Sequence, residues 1–209
     1  MRRRRFAIVL ALGAVLAGCA VSDTTRYYAL GMLRESGGTQ RPATGSGLTI
    51  GVGPVVIPGY LDRPQLVTRD GSGALEIWSL HRWAEPLDNG IAATLADALG
   101  SRLGNDRVAV FPWRGMLARA LDYQVPLAIA RFDGTAGSAG TAVTLDARWR
   151  VLTRDGKEVA FSRTTLTEPI TDAGFPGVVA AMNRSIIRLA ADIGDAIQAQ
   201  PANRAAVRD

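Results

Sequence analysis

His81 is the only histidine of the 209 residues and Cys19 the only cysteine, so nucleophilic, acid–base or metal chemistry would have to pass through very few side chains. A serine nucleophile would need His81 as its base and a Gly-x-Ser-x-Gly turn to expose its hydroxyl. Gly71-Ser72-Gly73 and Gly137-Ser138-Ala139-Gly140 both miss that spacing. A zinc site normally uses several His or Cys ligands; His81 and Glu85 stand four residues apart, and no further His or free thiol joins them. Gly51-Val52-Gly53 begins like a dinucleotide fingerprint, but position 56 is valine and Pro54 removes a backbone donor that a phosphate would use. The Gly-rich run from Gly134 to Gly140 falls between two predicted strands, so it reads as a hairpin loop. No catalytic residue, cofactor or metal is expected, and His81 is assigned a structural or interface role.

Cys19 is different, because its surroundings specify a chemistry. Four arginines, Arg2 to Arg5, precede an apolar stretch from Phe6 to Ala17, and Leu16-Ala17-Gly18 lead directly into the cysteine. A basic region, a short apolar region and small residues before a cut are the parts of a secretory signal. The apolar stretch is too short to span a bilayer, which needs roughly 20 helical residues. Small residues followed at once by cysteine resemble the lipobox of bacterial lipoproteins. That resemblance implies cleavage before Cys19 and acyl chains, palmitate among them, on its thiol and new amine. Several chains make an anchor effectively permanent, since each buried methylene contributes about 0.8 kcal/mol. Ala20 follows the cysteine; by resemblance to bacterial sorting rules, the lack of aspartate there directs the protein to the outer membrane, facing the periplasm.

Removing residues 1–18 takes away four of the 24 basic residues and no acidic one, leaving 20 against 19. The pI of about 10.1 therefore overstates the basicity of the mature chain, and nucleic acid is excluded as an expected partner. With Cys19 acylated no thiol remains for a disulfide, so the fold depends on its core.

The elements follow from periodicity. Residues 19–26 read as the acylated N-terminus and tether, and residues 27–199 as one domain. Strands are predicted at Tyr27 to Leu30, Leu48 to Ile57, Gln65 to Arg69, Leu75 to Leu80, Val108 to Trp113, Tyr123 to Phe132, Thr141 to Thr153 and Glu158 to Leu166. Arg34 to Gly47 is polar and Gly-rich, hence a loop. Pro54 calls for an edge or a bulge in its strand. Asp70-Gly71-Ser72-Gly73 and Asp155-Gly156 supply hairpin turns. Ile91, Leu95, Leu99 and Leu103 form one face of a helix stopped at Gly104-Asn105. Val178, Met182, Ile186, Leu189, Ile193 and Ile197 stripe a second helix from about Pro176 to Gln198. A frayed tail closes the chain from residue 200 to Asp209. The class is α/β of the α+β type, with a mostly antiparallel or mixed sheet covered by two main helices.

Aromatic residues are read first as core. Trp149 sits on the apolar side of its alternating strand, while Trp78 and Trp83 bracket His81 and Arg82. Pro58 and Pro64 frame Gly59 to Arg63, and two readings of that segment stand side by side. Either Tyr60 and Leu61 project beside Asp62 and Arg63 as an assembly surface, or they fold back to cap the core.

The run from Val52 to Arg69, the run His81-Arg82-Trp83-Ala84-Glu85-Pro86-Leu87, Phe111-Pro112-Trp113, Phe132-Asp133 and the Tyr27-Tyr28-x-Leu30 opening together resemble the ABC-type transport auxiliary lipoprotein family. These are the PqiC/YmbA-like lipoproteins of MCE-type intermembrane transport systems. Arg69, His81, Trp83, Glu85 and Pro86 are the residues that carry the motifs. The resemblance implies a non-enzymatic docking or auxiliary component of a lipid transport system, anchored in the outer membrane, with an MCE-domain partner and ring-shaped self-association. It also tilts Tyr60 to Arg63 towards assembly. The competing expectation is a periplasmic carrier enclosing a lipid or other ligand in an apolar pocket.

Overall fold

A computed structural model describes residues 24–31, 47–105, 107–135 and 142–200. The signal, Cys19, most of the Arg34–Gly47 loop and the tail from Pro201 lie outside the described residues. Among those described, the strands are β1 (Arg26–Tyr28), β2 (Ile50–Val56), β3 (Gln65–Arg69), β4 (Leu75–Trp83), β5 (Val108–Val110), β6 (Tyr123–Thr135), β7 (Ala142–Thr153) and β8 (Glu158–Pro169). The helices are α1 (Leu87–Leu103), α2 (Gly115–Ala120) and α3 (Gly174–Gln198). This is the expected α+β domain.

All eight strands join one mixed sheet. Strands β6, β7 and β8 form an antiparallel meander, as the hairpin signals require. The long β6 then organises the rest. Along its other edge it pairs parallel with β2 near its start and with β3 near its end. β5 extends the sheet beyond β2, and β4 and then β1 extend it beyond β3. At Pro54 the β2–β6 register shifts between Val52 and Val55, the bulge that a missing donor requires.

The two main helices lie against the sheet and against each other, α1 over β2 and β5, α3 over β6, β7 and β8. Every residue of the predicted α3 stripe is buried. Gly194 of α3 lets the helices approach: a Cβ there would sit 2.9 Å from Cγ of Arg102. α1 ends where Gly104 turns left-handed, with its N–H bonded to the Gly100 carbonyl. On β7, Val143, Leu145, Ala147, Trp149 and Val151 are buried while Arg148 and Arg150 face solvent. The Trp149 indole donates to Thr164 Oγ1 at 3.0 Å, and Thr164 donates to Asp192 of α3. The buried indole nitrogen therefore has its partner.

Several elements differ from expectation; β6 and β8, for instance, run on to Thr135 and Pro169. β4 runs on to Trp83, because β1 pairs with its last three residues. β5 stops at Val110, and Phe111 to Arg114 lead into α2 rather than continuing the strand. α3 starts at Gly174, two residues before Pro176; proline is harmless there because the first turn of a helix has no intrahelical N–H partners. Finally, α1 buries more than one face, Ala92, Ala96 and Ala98 included, because it touches both the sheet and α3.

Candidate docking surface

The segment from Tyr60 to Arg63 divides between core and surface. Leu61 is 3% exposed and packs in the hydrophobic core, which corrects its placement on an assembly surface. An aliphatic side chain gains more from burial in the core than from projecting into solvent. Tyr60 is half-buried, and its hydroxyl donates to Asp133 Oδ2 at 2.8 Å. Arg69 reaches the same carboxylate through Nη2 at 3.1 Å, and Arg131 through Nε at 2.9 Å. The Arg69 guanidinium also lies 5.7 Å from the Tyr60 ring centroid. Asp133 is 0% exposed, so these donors stand in for the water it has lost. Burial, then the Asp133 hydrogen bond and charge, push the Tyr60 phenol up to about 12. Arg69's own hydrogen bond to Asp133 raises its guanidinium above its ordinary value. Tyr60 and Arg69 thus meet, but in a structural lock centred on Asp133.

His81 is enclosed by aromatic rings. Its Nδ1 is 2.9 Å from the Tyr28 hydroxyl, the Phe175 ring stacks on it at 3.8 Å, and the Trp78 edge approaches at 6.3 Å. Burial first and the nearby Arg26 charge second lower its pKa. Tyr28 and Phe175 come from β1 and α3, so this lining could not be read around His81 in the sequence. The cluster staples the β1–β4 edge to the start of α3. Among the described residues, no group of three His, Cys, Asp or Glu side chains could hold a metal ion.

Asp62 and Arg63 remain at the surface. Together with Pro64 they meet Trp83, Ala84, Glu85, Pro86 and Leu87 around an open depression of about 340 Å³. The meeting has a local cause. β3 and β4 lose regular register between Gln65 and Leu66, and the Trp83 N–H instead bonds the Pro64 carbonyl at 2.7 Å. Asp62–Pro64 and Trp83–Leu87, 19 or more positions apart in sequence, therefore share one wall. Arg63 Nε is buried and has no hydrogen-bond partner among the described residues. Neither Asp62 nor Glu85 pairs with it as a salt bridge, so the local pairing considered for Asp62 and Arg63 does not form. The floor includes buried Trp83 and Leu87, while Asp62, Ala84, Glu85 and Pro86 are exposed. A charged rim around an apolar floor, with one guanidinium donor unused, can receive an acceptor-bearing segment of another molecule.

A second open depression, about 440 Å³, lies on the opposite side of the sheet from the helices, lined by Pro54, Val56, Pro126, Ala128, Arg148, Arg150 and Phe161. No sequence motif marks it. Its only signal was the outward alternation of Arg148 and Arg150 along β7.

Comparison with known proteins agrees with the fold. One crystal structure of an uncharacterized protein superposes with a TM-score of 0.65 at 20% identity, over 83% of this chain and 99% of the other. Protein XCC0632 from Xanthomonas campestris superposes at 0.56 with 19% identity, over 70% of this chain and 81% of its own. A PelC dodecamer from Paraburkholderia phytofirmans matches at 0.46 with 15% identity, over 78% of this chain and 95% of that one; its assembly is a property of that protein. No curated protein sequence matches the chain. The profile described as "ABC-type transport auxiliary lipoprotein component" matches residues 28–194, and the chain belongs to that family.

Proposed function

We propose that this protein is a non-catalytic docking subunit of an MCE-type intermembrane lipid transport system, held in the outer membrane by acyl chains on Cys19 and facing the periplasm. In this reading it self-associates as a ring and binds the MCE-domain protein of its system. The observation that carries the docking role is the depression shared by Asp62–Pro64 and Trp83–Leu87, with the buried Arg63 Nε at its wall. An unpartnered buried donor costs about 1–3 kcal/mol, and an acceptor brought by a partner would recover that energy. The family's auxiliary role in transport and the aromatic lining of the sole histidine support a part without catalysis.

Arg63→Ala combined with Glu85→Ala should weaken capture of the MCE-domain protein by about tenfold or more while leaving the melting curve in place. Binding that survives in a normally folded double variant would refute the docking site.

A carrier is the second reading, and the outer-face depression between Pro54 and Phe161 is what favours it. A carrier pocket should bury most of its ligand, whereas this depression is open and bordered by two arginines. Native mass spectrometry separates the readings: a ring without lipid supports docking, and a monomer retaining one lipid supports carriage.

A further inference from the structure

We infer that the free β1–β4 edge of the sheet is a membrane-contact face that rests on the headgroup region of the lipid bilayer. The inference builds on the lipid-anchor reading above and concerns the surface next to the tether, which the docking depression does not include.

β1 pairs with β4 at one end of the strand order, so among the described residues its other edge is unpaired. Register places Tyr27 beside Arg82, and Arg82 beside Gln65 of β3. Two residues further along β3, Val67 pairs with Ile77, and two beyond that, Arg69 pairs with Leu75. Alternate residues of a strand share a face. The irregular register of β4 against β3 sets Arg82 and Ile77 opposite Gln65 and Val67, alternate residues of β3, despite their separation in sequence. Tyr27, Arg82, Ile77 and Leu75 therefore form a single row. Its three uncharged members are exposed, by 63%, 52% and 40% respectively. Three large apolar or amphipathic side chains in line on a solvent-facing edge mark a contact surface.

The chain itself says what covers the row. From Cys19 to Thr24 is five residues, a reach of at most about 18 Å when fully extended, and Tyr27 lies three residues later. Acylation of Cys19 thus holds this edge, more than any other part of the sheet, close to the bilayer. The chemistry suits that position. Tyrosine prefers the headgroup level, where its ring is apolar and its hydroxyl wet. Exposed Arg26 adds a positive charge beside the row, suited to lipid phosphate. Asp62 and Glu85 belong to the adjoining depression and Glu76 is hydrogen-bonded to Thr68, so the row itself carries no carboxylate.

The test uses the full acylated lipoprotein in vesicles of phosphatidylethanolamine and phosphatidylglycerol. Because acylation consumes the Cys19 thiol, a cysteine introduced by Tyr27→Cys or Ile77→Cys is the single site for an environment-sensitive fluorophore. Phe161→Cys, on β8, is the control. Lipids carrying a nitroxide at the headgroup should quench labels at 27 and 77 several-fold more than the label at 161. Protein that floats with the vesicles but is quenched equally at all three sites overturns the contact face and leaves the anchor standing. Failure to float overturns the anchor, and the contact face with it. Emission that is shielded at 77 without quenching, and that fades when protein is diluted into empty vesicles, assigns the row to a second copy of the chain and likewise overturns the proposal.

Discussion

Asp133 accepts four hydrogen bonds, one from Tyr60, two from Arg69 and one from Arg131, and this sets the behaviour of the residues around it. The Tyr60 phenol ordinarily titrates near 10.0 and is pushed up to about 12. Below pH 10 the folded and unfolded chains both keep the proton, so the whole stabilising contribution is present. Between 10 and 12 the unfolded chain releases it first, and stability falls as pH rises. Tyr60→Phe should remove this part of the alkaline slope, about 1 kcal/mol once screening at a half-buried site is allowed for. Urea titrations of both proteins on either side of that window check it; parallel slopes would refute the Tyr60–Asp133 coupling. The sequence brought Tyr60 and Arg69 to attention, but not as partners. What joins them is a carboxylate on β6, the sheet neighbour of β3 but 64 positions from Arg69 in sequence, and a pairing over that separation has no local signature.

At the scale of elements, close approaches decide more than propensity does. Gly51 on β2 has no Cβ, and the Trp113 ring lies over it: a Cβ would stand 2.6 Å from two atoms of the indole and 2.8 Å from Leu121 Cδ1. The residues between β5 and α2 are thereby clamped to the sheet, and Trp113 Nε1 donates to the Ala109 carbonyl at 3.3 Å. Gly51→Ala should destabilise the domain by about 1–3 kcal/mol, the range for overpacking, and should lift Trp113 towards solvent. Thermal melts with tryptophan emission spectra check both effects, and an unchanged spectrum with an unchanged midpoint would disprove the clamp. Read locally, Gly51-Val52-Gly53 looked like a failed phosphate loop. The glycine serves packing by a tryptophan 62 positions later, and only the folded chain states that.

For the whole molecule, the anchor is the feature on which location depends. Cys19→Ala should abolish incorporation of a fatty-acid analogue and release the domain from the membrane fraction. Metabolic labelling with fractionation checks it; label on the variant, or none on the parent protein, would end the lipoprotein reading. No helix among the described residues is long and apolar enough to cross a bilayer. In the arrangement proposed above, three exposed side chains on the β1–β4 edge orient the domain on a lipid surface, and holding it there would fall to the acyl chains.

The sequence by itself determined what local chemistry and periodicity can encode. The order of charge, apolar run and Cys19 carries the expectation of an anchor. The alternation of Val143 to Val151 specified a strand with one wet face, and the four-residue recurrence through Ile193 and Ile197 specified a helix with one dry stripe. Both patterns held because burial acts on each element separately, so the period of the element is written directly into its residues. The tertiary structure alone decided which elements meet. It took Leu61 into the core, set Asp62 and Arg63 against Trp83 and Glu85, and lined Tyr27 up with Ile77 through an irregular register. Those outcomes depend on long-range pairing around β6 and on two or three backbone hydrogen bonds, such as that from Trp83 to the Pro64 carbonyl. Strand order and register arise from the balance of the whole core, and no short segment contains that balance.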